Sequence, residues 1–407
     1  MRKTLLALFF LGILYPATSQ ITLRMMTYNI LNYNGSDANT ARYADLRVIV
    51  NEVQPDFVVV QEINDAVGSE LLLDSSFNVN GQTNFSRATF VNGPDSDNML
   101  FYRSDKLTLV SQAQISTPLR DITRYTLRSI HLGDTVEFSV FSMHLKAGNT
   151  ASDETDRFNE ISQFCSSIAT IPNTENLIIA GDMNVYYATE SWYQKVTSTN
   201  CSHEFFDPIN QPGVWNNNSS FIPIHTQSTR TSSLPGCCGG STGGLDDRFD
   251  LIHCNYNVMT GLQRMKVDAS TYYALGNDGN HFNLAINQAP TNTAVSVAVA
   301  NALFNMSDHL PVVTEFILHA DFSDVPDLST AQGSVFWSGN TLLIKAIESG
   351  QHQAMVYDIS GRLVHTQTLQ LQKGEQQVSF SPVLTAGVYT VRIVSYNTVF
   401  FNTTYRY

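Results

Sequence analysis

The sequence predicts an α/β domain followed by a smaller all-β module, and three observations carry that expectation. The apolar runs at 57–60 and 177–180 are unbroken by polar residues, as expected for strands buried on both faces. Segments of helical periodicity, at 41–53 and from 152 onward, stand before such runs. Beyond residue 333 the pattern changes to short runs separated by Gly, Ser and Pro, which reads as a small β-sandwich. At 407 residues the chain suits two domains better than one.

The N-terminus reads as an export signal. Arg2 and Lys3 precede an apolar stretch at 5–14, and Ala17, Thr18 and Ser19 supply small residues at the cleavage positions. This is a signal peptide over 1–19, with Gln20 as the mature start; the apolar stretch is too short for a comfortable membrane span. No other long apolar run occurs in the sequence, so a soluble mature protein, secreted or at the cell surface, is expected. Charged residues are only 14%, with Asn, Ser and Thr filling the surface instead, which suits an exported chain. The net charge of −13 provides no global basic field for nucleic acid. A metal supplying local positive charge would still allow cleavage of a phosphodiester. Of the five cysteines, Cys165, Cys201, Cys237, Cys238 and Cys254, at least one must stay unpaired or pair between molecules. No CxxC spacing occurs, which argues against zinc.

In chain order, 22–30 alternates as a strand and ends at Asn29 before a turn cluster, Asn32 to Gly35. A helix over 41–53 carries Tyr43, Leu46, Val50 and Val53 on one face and stops before Pro55. The buried run 57–60 leads directly into Gln61 and Glu62. Strand pairs are expected at 98–103 with 107–110, and at 126–131 with 136–141, the second pair turning at Gly133 and Asp134. The second pair runs into Ser142-Met143-His144. Ser152 is placed to cap a helix with Asp153 and Glu154 in its first turn and Phe158, Ile161, Cys165 and Ile168 on its apolar face. The strand at 177–180 ends in Gly181-Asp182-Met183-Asn184. A glycine-rich loop at 235–247 matches no P-loop, because no Lys-Ser/Thr follows its glycines. Its vicinal cysteines are a candidate tether. Asp250 lies inside the next apolar run, and a helix over 293–304 leads to Ser307-Asp308-His309 and a strand at 310–318. Residues 321–333 read as a linker, and 334–407 as the β module.

Asn29, Glu62, His144, Asp182, Asn184, Asp308 and His309 thus stand beside strand-like runs, with Asp250 inside one. Singly, each has a bland explanation: a turn, a cap, a core histidine, an Asx turn, or a bridge from Asp250 to Arg248. Together they resist a packing explanation, because clustered carboxylates repel one another and resist burial. A hard divalent cation relieves that cost, and Mg²⁺ takes oxygen ligands of this kind.

Six stretches carry a resemblance: Thr27-Tyr28-Asn29-Ile30, Val60-Gln61-Glu62, Ser142-Met143-His144-Leu145, Gly181-Asp182-Met183-Asn184, Asp247-Arg248-Phe249-Asp250 and Ser307-Asp308-His309-Leu310-Pro311-Val312. In this order they resemble the motifs of the endonuclease/exonuclease/phosphatase superfamily, which includes secreted deoxyribonucleases, sphingomyelinases and inositol polyphosphate 5-phosphatases. The resemblance spans roughly residues 21–319 and assigns 20–320 as a catalytic domain. It implies a four-layer α/β sandwich with the active site at one rim of two central sheets. It also implies Mg²⁺, or Mn²⁺ or Ca²⁺ in its place, held by Glu62 with Asn29 and Asp308. Asp182 would orient or deprotonate the attacking water, with Asn184 holding that water or the phosphate. His309, supported by Asp250, would polarise the phosphate, and His144 would contact it and help protonate the leaving oxygen. Arg128 and Arg248 are candidate phosphate contacts. Cys201 paired with Cys237 or Cys238 would resemble a disulfide of the secreted deoxyribonucleases.

The implied function is an exported phosphodiesterase, foremost a nuclease acting on DNA or RNA. The alternatives are a sphingomyelinase-type enzyme, with Tyr186, Tyr187, Trp192 and Trp215 as candidate exposed aromatics, and an inactive surface binding protein. A 5-phosphatase fits less well, because Gly243-Gly244-Leu245-Asp246 replaces the Pro-x-Trp stretch of those enzymes. In the C-terminal part, 356–364 and 384–392 resemble a type IX secretion sorting domain, which implies contact with an outer-membrane export machinery. The mature protein is expected to be a monomer.

Overall fold

The computed structural model describes residues 20–36, 41–130, 135–234, 237–319, 334–338, 341–346, 349–358, 362–379, 387–394 and 399–406. The expected signal peptide at 1–19, the linker at 321–333, the turn at Gly133 and Asp134, and residues 359–361 and 384–386 of the sorting motifs lie outside the described residues.

Two six-stranded sheets form the centre. The first contains β1 (Gln20–Tyr33), β2 (Phe57–Ile63), β3 (Phe85–Arg87), β4 (Asp97–Arg103), β11 (Met265–Ala274) and β12 (Val312–His319), in the order β11-β12-β1-β2-β4-β3. The second contains β5 (Leu107–Ile115), β6 (Ile122–Ser129), β7 (Glu137–His144), β8 (Asn176–Asp182), β9 (Phe205–Phe206) and β10 (Asp250–Asn255), in the order β5-β6-β7-β8-β10-β9. Each sheet has one central parallel pair, β1–β2 and β7–β8, flanked by antiparallel strands. Those pairs are joined by the helices α1 (Arg42–Val53) and α3 (Ala151–Ser167), because a parallel connection needs a crossover. The short helices α2 (Ala66–Leu72), α4 (Ser191–Val196) and α5 (Tyr256–Thr260) sit in connections, and α6 (Val297–Met306) precedes β12.

Packing explains the four layers. Leu46, Ile49 and Val50 of α1 and Leu303 and Met306 of α6 bury against the first sheet. Ile161 and Phe164 of α3 and Trp192 of α4 bury against the second. Between the sheets the core is apolar, with Phe57 and Phe138 rings 5.5 Å apart. Toward the site it becomes polar: Gln61 Nε2 donates to Ser142 Oγ at 2.9 Å, and Ser142 Oγ to Asn98 Oδ1 at 2.9 Å. Seven further strands, β13 (Ser334–Ser338), β14 (Thr341–Ala346), β15 (Gly350–Asp358), β16 (Leu363–Leu371), β17 (Gly374–Ser379), β18 (Gly387–Val394) and β19 (Val399–Arg406), make antiparallel sheets of three and four strands. Their core includes Leu342, Ile344, Val356, Leu369, Val391 and Ile393.

Some local expectations change. Thr150, not Ser152, caps α3: its side chain accepts from Asp153 N–H while the Asp153 side chain accepts from Thr150 N–H, a capping box. α6 starts later than expected, where the Ser296 side chain accepts from Val299 N–H. β11 carries no sustained strand pattern, because its burial alternation is lost after its first residues. The disulfides are Cys165–Cys201 and Cys237–Cys238, which replaces the expected Cys201 pairing with the doublet; Cys254 is free and buried.

Candidate active site

The C-terminal ends of the two parallel pairs meet at one rim. β1 delivers Asn29, β2 Glu62, β7 His144 and β8 Asp182. Crevices at the carboxyl ends of parallel strands are where open α/β sheets hold ligands. The antiparallel neighbours start at the same rim: β10 opens with Asp250, register partner of Asp182, and Asp308-His309 immediately precede β12.

Two backbone devices aim the groups. Glu62 has φ of 62° and is skipped by the pairings of β2 with both β1 and β4. This bulge turns its carboxylate into the rim, a use of β-bulges common beside active sites. Gly181 has φ of 141°, and a Cβ there would lie 2.0 Å from the Met143 carbonyl oxygen. No side chain is tolerated where β8 enters the site.

Asp182 is the hub. Its Oδ2 accepts from Asn29 Nδ2 at 2.9 Å and lies 3.5 Å from both His144 Nε2 and His309 Nε2. Its Oδ1 accepts from Asn184 N–H at 3.0 Å, and Asn184 Nδ2 is held by the Leu145 carbonyl at 3.0 Å. Asn29 Nδ2 also donates to Glu62 Oε1 at 3.0 Å, and Glu62 Oε2 accepts from Asn32 N–H at 2.9 Å. His144 Nε2 is 3.7 Å from Glu62 Oε1. His309 Nδ1 meets Asp250 Oδ2 at 2.8 Å, while Asp250 Oδ1 is buried with no partner. Asp308 Oδ2 accepts from Ser241 N–H at 2.6 Å.

Burial and crowding set the electrostatics. Asp182, Asp250, Asp308 and His309 are all at most 3% exposed. Burial raises the Glu62 carboxyl, with Asp308 and Asp182 adding to the rise and Asn29 opposing it. Burial pushes the Asp182 carboxyl above its usual range, against the pull of His309. Burial lowers His144, helped by Arg120 and His309, and keeps that imidazole neutral. Burial opposes charge on His309 too, yet Asp250, Asp182 and Asp308 together hold its imidazolium well above the usual range.

The cleft, about 410 Å³, is lined by Glu62, His144, Asp182, Asn184, Asp308 and His309. The eight motif residues expected from the sequence converge here. Arg248 and Arg128 do not. Arg248 is buried and makes a two-pronged ion pair with Asp207 at 2.9 and 3.0 Å, so its guanidinium is spent inside the core. Arg128 is a half-exposed residue paired across the strands with Glu137. The cation that lines the cleft is Arg120, anchored by Asp95 at 2.8 Å and by the Leu145 carbonyl at 3.2 Å. Trp192 and Trp215 are buried in the core; of the four candidate aromatics Tyr186 lines the cleft. Gln227, Ser241 and Asp246 also line it, without any motif to mark them, as does Asp247 of the Asp247-Arg248-Phe249-Asp250 stretch.

Asn29 Oδ1 accepts from Leu31 N–H at 3.0 Å and its nitrogen faces two carboxylates, so Asn29 bridges acids. Glu62, His144 and Asp182 each place a ligand atom within 4.8 Å of the others. The donor set fits a hard divalent cation: Glu62, Asp182 and Asp308 offer oxygens, and none is paired with Lys or Arg among the described residues.

Residues 26–203 match the Endonuclease/Exonuclease/phosphatase family, and residues 338–403 match the secretion system C-terminal sorting domain. A search of curated proteins finds no match. Similar solved structures include endonuclease/exonuclease/phosphatase proteins from Bacteroides vulgatus (15% identity, 73% of this chain and 99% of that one, TM-score 0.47) and Bacteroides thetaiotaomicron (16%, 74% and 99%, 0.46). The human Nocturnin catalytic domain with bound sulfate anion is another (17%, 74% and 97%, 0.46). The chain carries an endonuclease/exonuclease/phosphatase family domain followed by a secretion system C-terminal sorting domain.

Proposed function

We propose that this protein is an exported, divalent-metal-dependent phosphodiesterase, and that its substrate is DNA or RNA. The observation that supports this best is the position of Asp182 Oδ2, 3.5 Å from two imidazoles that come from different sheets. Glu62 and Asp308 would hold the cation, Mg²⁺ by its oxygen preference, with Asn29 fixing the geometry. When bound, the cation would offset charge developing on the phosphoryl oxygens.

The chain's own groups do the rest. Asp182 orients the attacking water and accepts its proton, and Asn184 keeps that carboxylate in place. Asp250 fixes the His309 ring so that Nε2 faces the phosphate. Preorganised donors of this kind stabilise charge that appears only in the transition state. His144, neutral and buried, is a hydrogen-bond donor beside the leaving oxygen. The C-terminal β module directs the protein through a type IX export machinery, and 20–320 acts as the catalytic unit.

Arg120 is the one Lys or Arg lining the cleft among the described residues, where Asp246 and Asp247 also stand. This favours a second reading, a phospholipid phosphodiesterase whose substrate carries a cationic headgroup. Purified protein is assayed on plasmid DNA, RNA, sphingomyelin and bis-p-nitrophenyl phosphate across a salt series. A nuclease with few phosphate contacts gives a shallow salt dependence. Turnover of sphingomyelin with none of DNA or RNA would replace the nuclease reading by the second.

A further inference from the structure

Two buried arginines that the mechanism does not use meet at the end of α6, just before Asp308. The last four carbonyls of a helix have no partner within it. Here all four are satisfied. Ser307 N–H donates to the Leu303 carbonyl at 3.4 Å. Arg230 donates through Nε to the Phe304 carbonyl at 2.7 Å and through Nη2 to the Asn305 carbonyl at 2.9 Å. Arg42 donates to the Met306 carbonyl through Nε at 3.1 Å and Nη2 at 2.7 Å. Cations suit the negative end of a helix, and a planar fork suits two successive carbonyls. Both side chains are at most 2% exposed, so water does not reach this helix end to take their place.

The Arg230 segment holds the chain past the helix as well. Thr229 Oγ1 donates to the Ser307 carbonyl at 2.6 Å, and Thr229 N–H to the Asp308 carbonyl at 3.0 Å. The Arg230 carbonyl accepts from Gly243 N–H at 3.0 Å and Gly244 N–H at 2.9 Å. That turn carries Ser241, whose N–H donates to Asp308 Oδ2 at 2.6 Å. Asp308 stands two residues beyond the last residue of α6, so the backbone leaves its carboxylate little freedom once both sides are held. Arg42 also donates to the Leu31 carbonyl at 2.8 Å, which ties it to β1, so its loss would disturb two segments at once. Arg230 makes no ion pair with a carboxylate among the described residues, and its guanidinium serves the helix end alone.

We propose that Arg230 is a positioning residue of the cation site: its guanidinium, locked on the last carbonyls of α6, fixes where the Asp308 carboxylate stands and so sets the affinity for the divalent ion. The inference rests on the reading in which Asp308 holds that ion.

The test measures Mg²⁺ binding by calorimetry for wild type, Arg230→Gln and Arg230→Lys, with melting scans and with kcat on bis-p-nitrophenyl phosphate across a Mg²⁺ series. Groups that orient a metal ligand typically contribute about 10–100-fold in affinity. Arg230→Gln should bind Mg²⁺ more weakly by about that factor, and saturating Mg²⁺ should restore most of its kcat. Charge alone predicts the opposite, because removing a cation within electrostatic reach of Asp308 favours a divalent ion there. Arg230→Lys keeps the charge without the fork and should also bind more weakly than wild type. Mg²⁺ affinity equal to or above that of wild type in Arg230→Gln overturns the proposal, and so does a wild-type affinity in Arg230→Lys. A lowered melting temperature with unchanged affinity per folded molecule would make Arg230 merely structural, as would failure of both variants to fold, and either result overturns the proposal. If Arg230→Gln alone does not fold, Arg230→Lys decides. Wild type that binds no Mg²⁺ removes the metal reading and this inference with it. Weakened binding in the variants of a protein that turns over no phosphoester keeps the positioning role and removes the phosphoesterase reading.

Discussion

Arg248 and Asp250 lie two residues apart, and each joins a buried pair of opposite charges, but the two pairs have different uses. Arg248 meets Asp207 with both prongs, at 2.9 and 3.0 Å, and its guanidinium lies 5.4 Å from the Trp215 ring centre. One cation meets one carboxylate, and the pair closes on itself inside the core. Asp250 meets His309 at 2.8 Å, but its second oxygen has no partner, and Asp182 and Asp308 crowd the same imidazole. Carboxylates outnumber cations there, and the surplus opens into a cleft. Burial of charge alone therefore does not mark a site. Imbalance of buried charge, facing a space that a ligand can enter, does.

The contrast can be broken or sharpened by mutation, and the largest effect belongs to the unbalanced cluster. Asp182→Asn should lower kcat on bis-p-nitrophenyl phosphate by about 10²–10⁴-fold, the usual contribution of a positioned base. Its melting temperature should stay near that of wild type; near-normal turnover in the folded variant would remove Asp182 from its role. The balanced pair behaves in the opposite way. Asp207→Ala leaves Arg248 buried without its partner and should destabilise by about 3–5 kcal/mol in denaturant melts. The protein that remains folded should keep its kcat. Replacing both partners, as in Asp207→Leu with Arg248→Met, should recover most of that stability; a double variant as weak as the single one would show that the pair does more than balance itself.

A smaller effect is read in acid. Burial works against ionised Asp207, but Arg248 prevails and brings its carboxyl to about 2, below the ordinary 3.8. A depressed carboxylate stabilises the fold above its unfolded value and loses that contribution as pH falls through its folded value. Wild type should therefore lose stability between about pH 4 and pH 2 more steeply than Asp207→Asn. Equal slopes would contradict the ion pair. Smallest of all, Arg128→Ala should change stability by less than about 1 kcal/mol and leave turnover unchanged, because its partner Glu137 is as exposed as it is. A clear loss of turnover would return Arg128 to the substrate path.

The same contrast explains what the sequence could and could not reveal. Asn29, Glu62, His144, Asp182 and His309 were legible because each sits next to a recognisable strand, and strand ends of parallel pairs converge by topology. Arg248 misled for the complementary reason. The sequence places it beside Asp250, but its partner Asp207 lies 41 residues away and only the fold joins them. Gln227 and Arg120 lie in irregular segments, where no periodicity predicts which way a side chain faces. The bulge that turns Glu62 inward leaves no composition signal, since a carboxylate after a buried strand reads equally well as a helix cap. The cysteines followed proximity in space: Cys165 on α3 lies 5.1 Å from Cys201 between Cα atoms, although 36 residues separate them.

The central claim is that surplus buried carboxylates hold a divalent ion against a phosphate. It is tested most directly by turnover of bis-p-nitrophenyl phosphate by wild type and Glu62→Gln, first with EDTA and then with Mg²⁺ restored. The account predicts that wild-type turnover vanishes with EDTA and returns with Mg²⁺, while Glu62→Gln regains little at the same concentration. Turnover that survives EDTA, or a Glu62→Gln variant that responds to Mg²⁺ as wild type does, would contradict it.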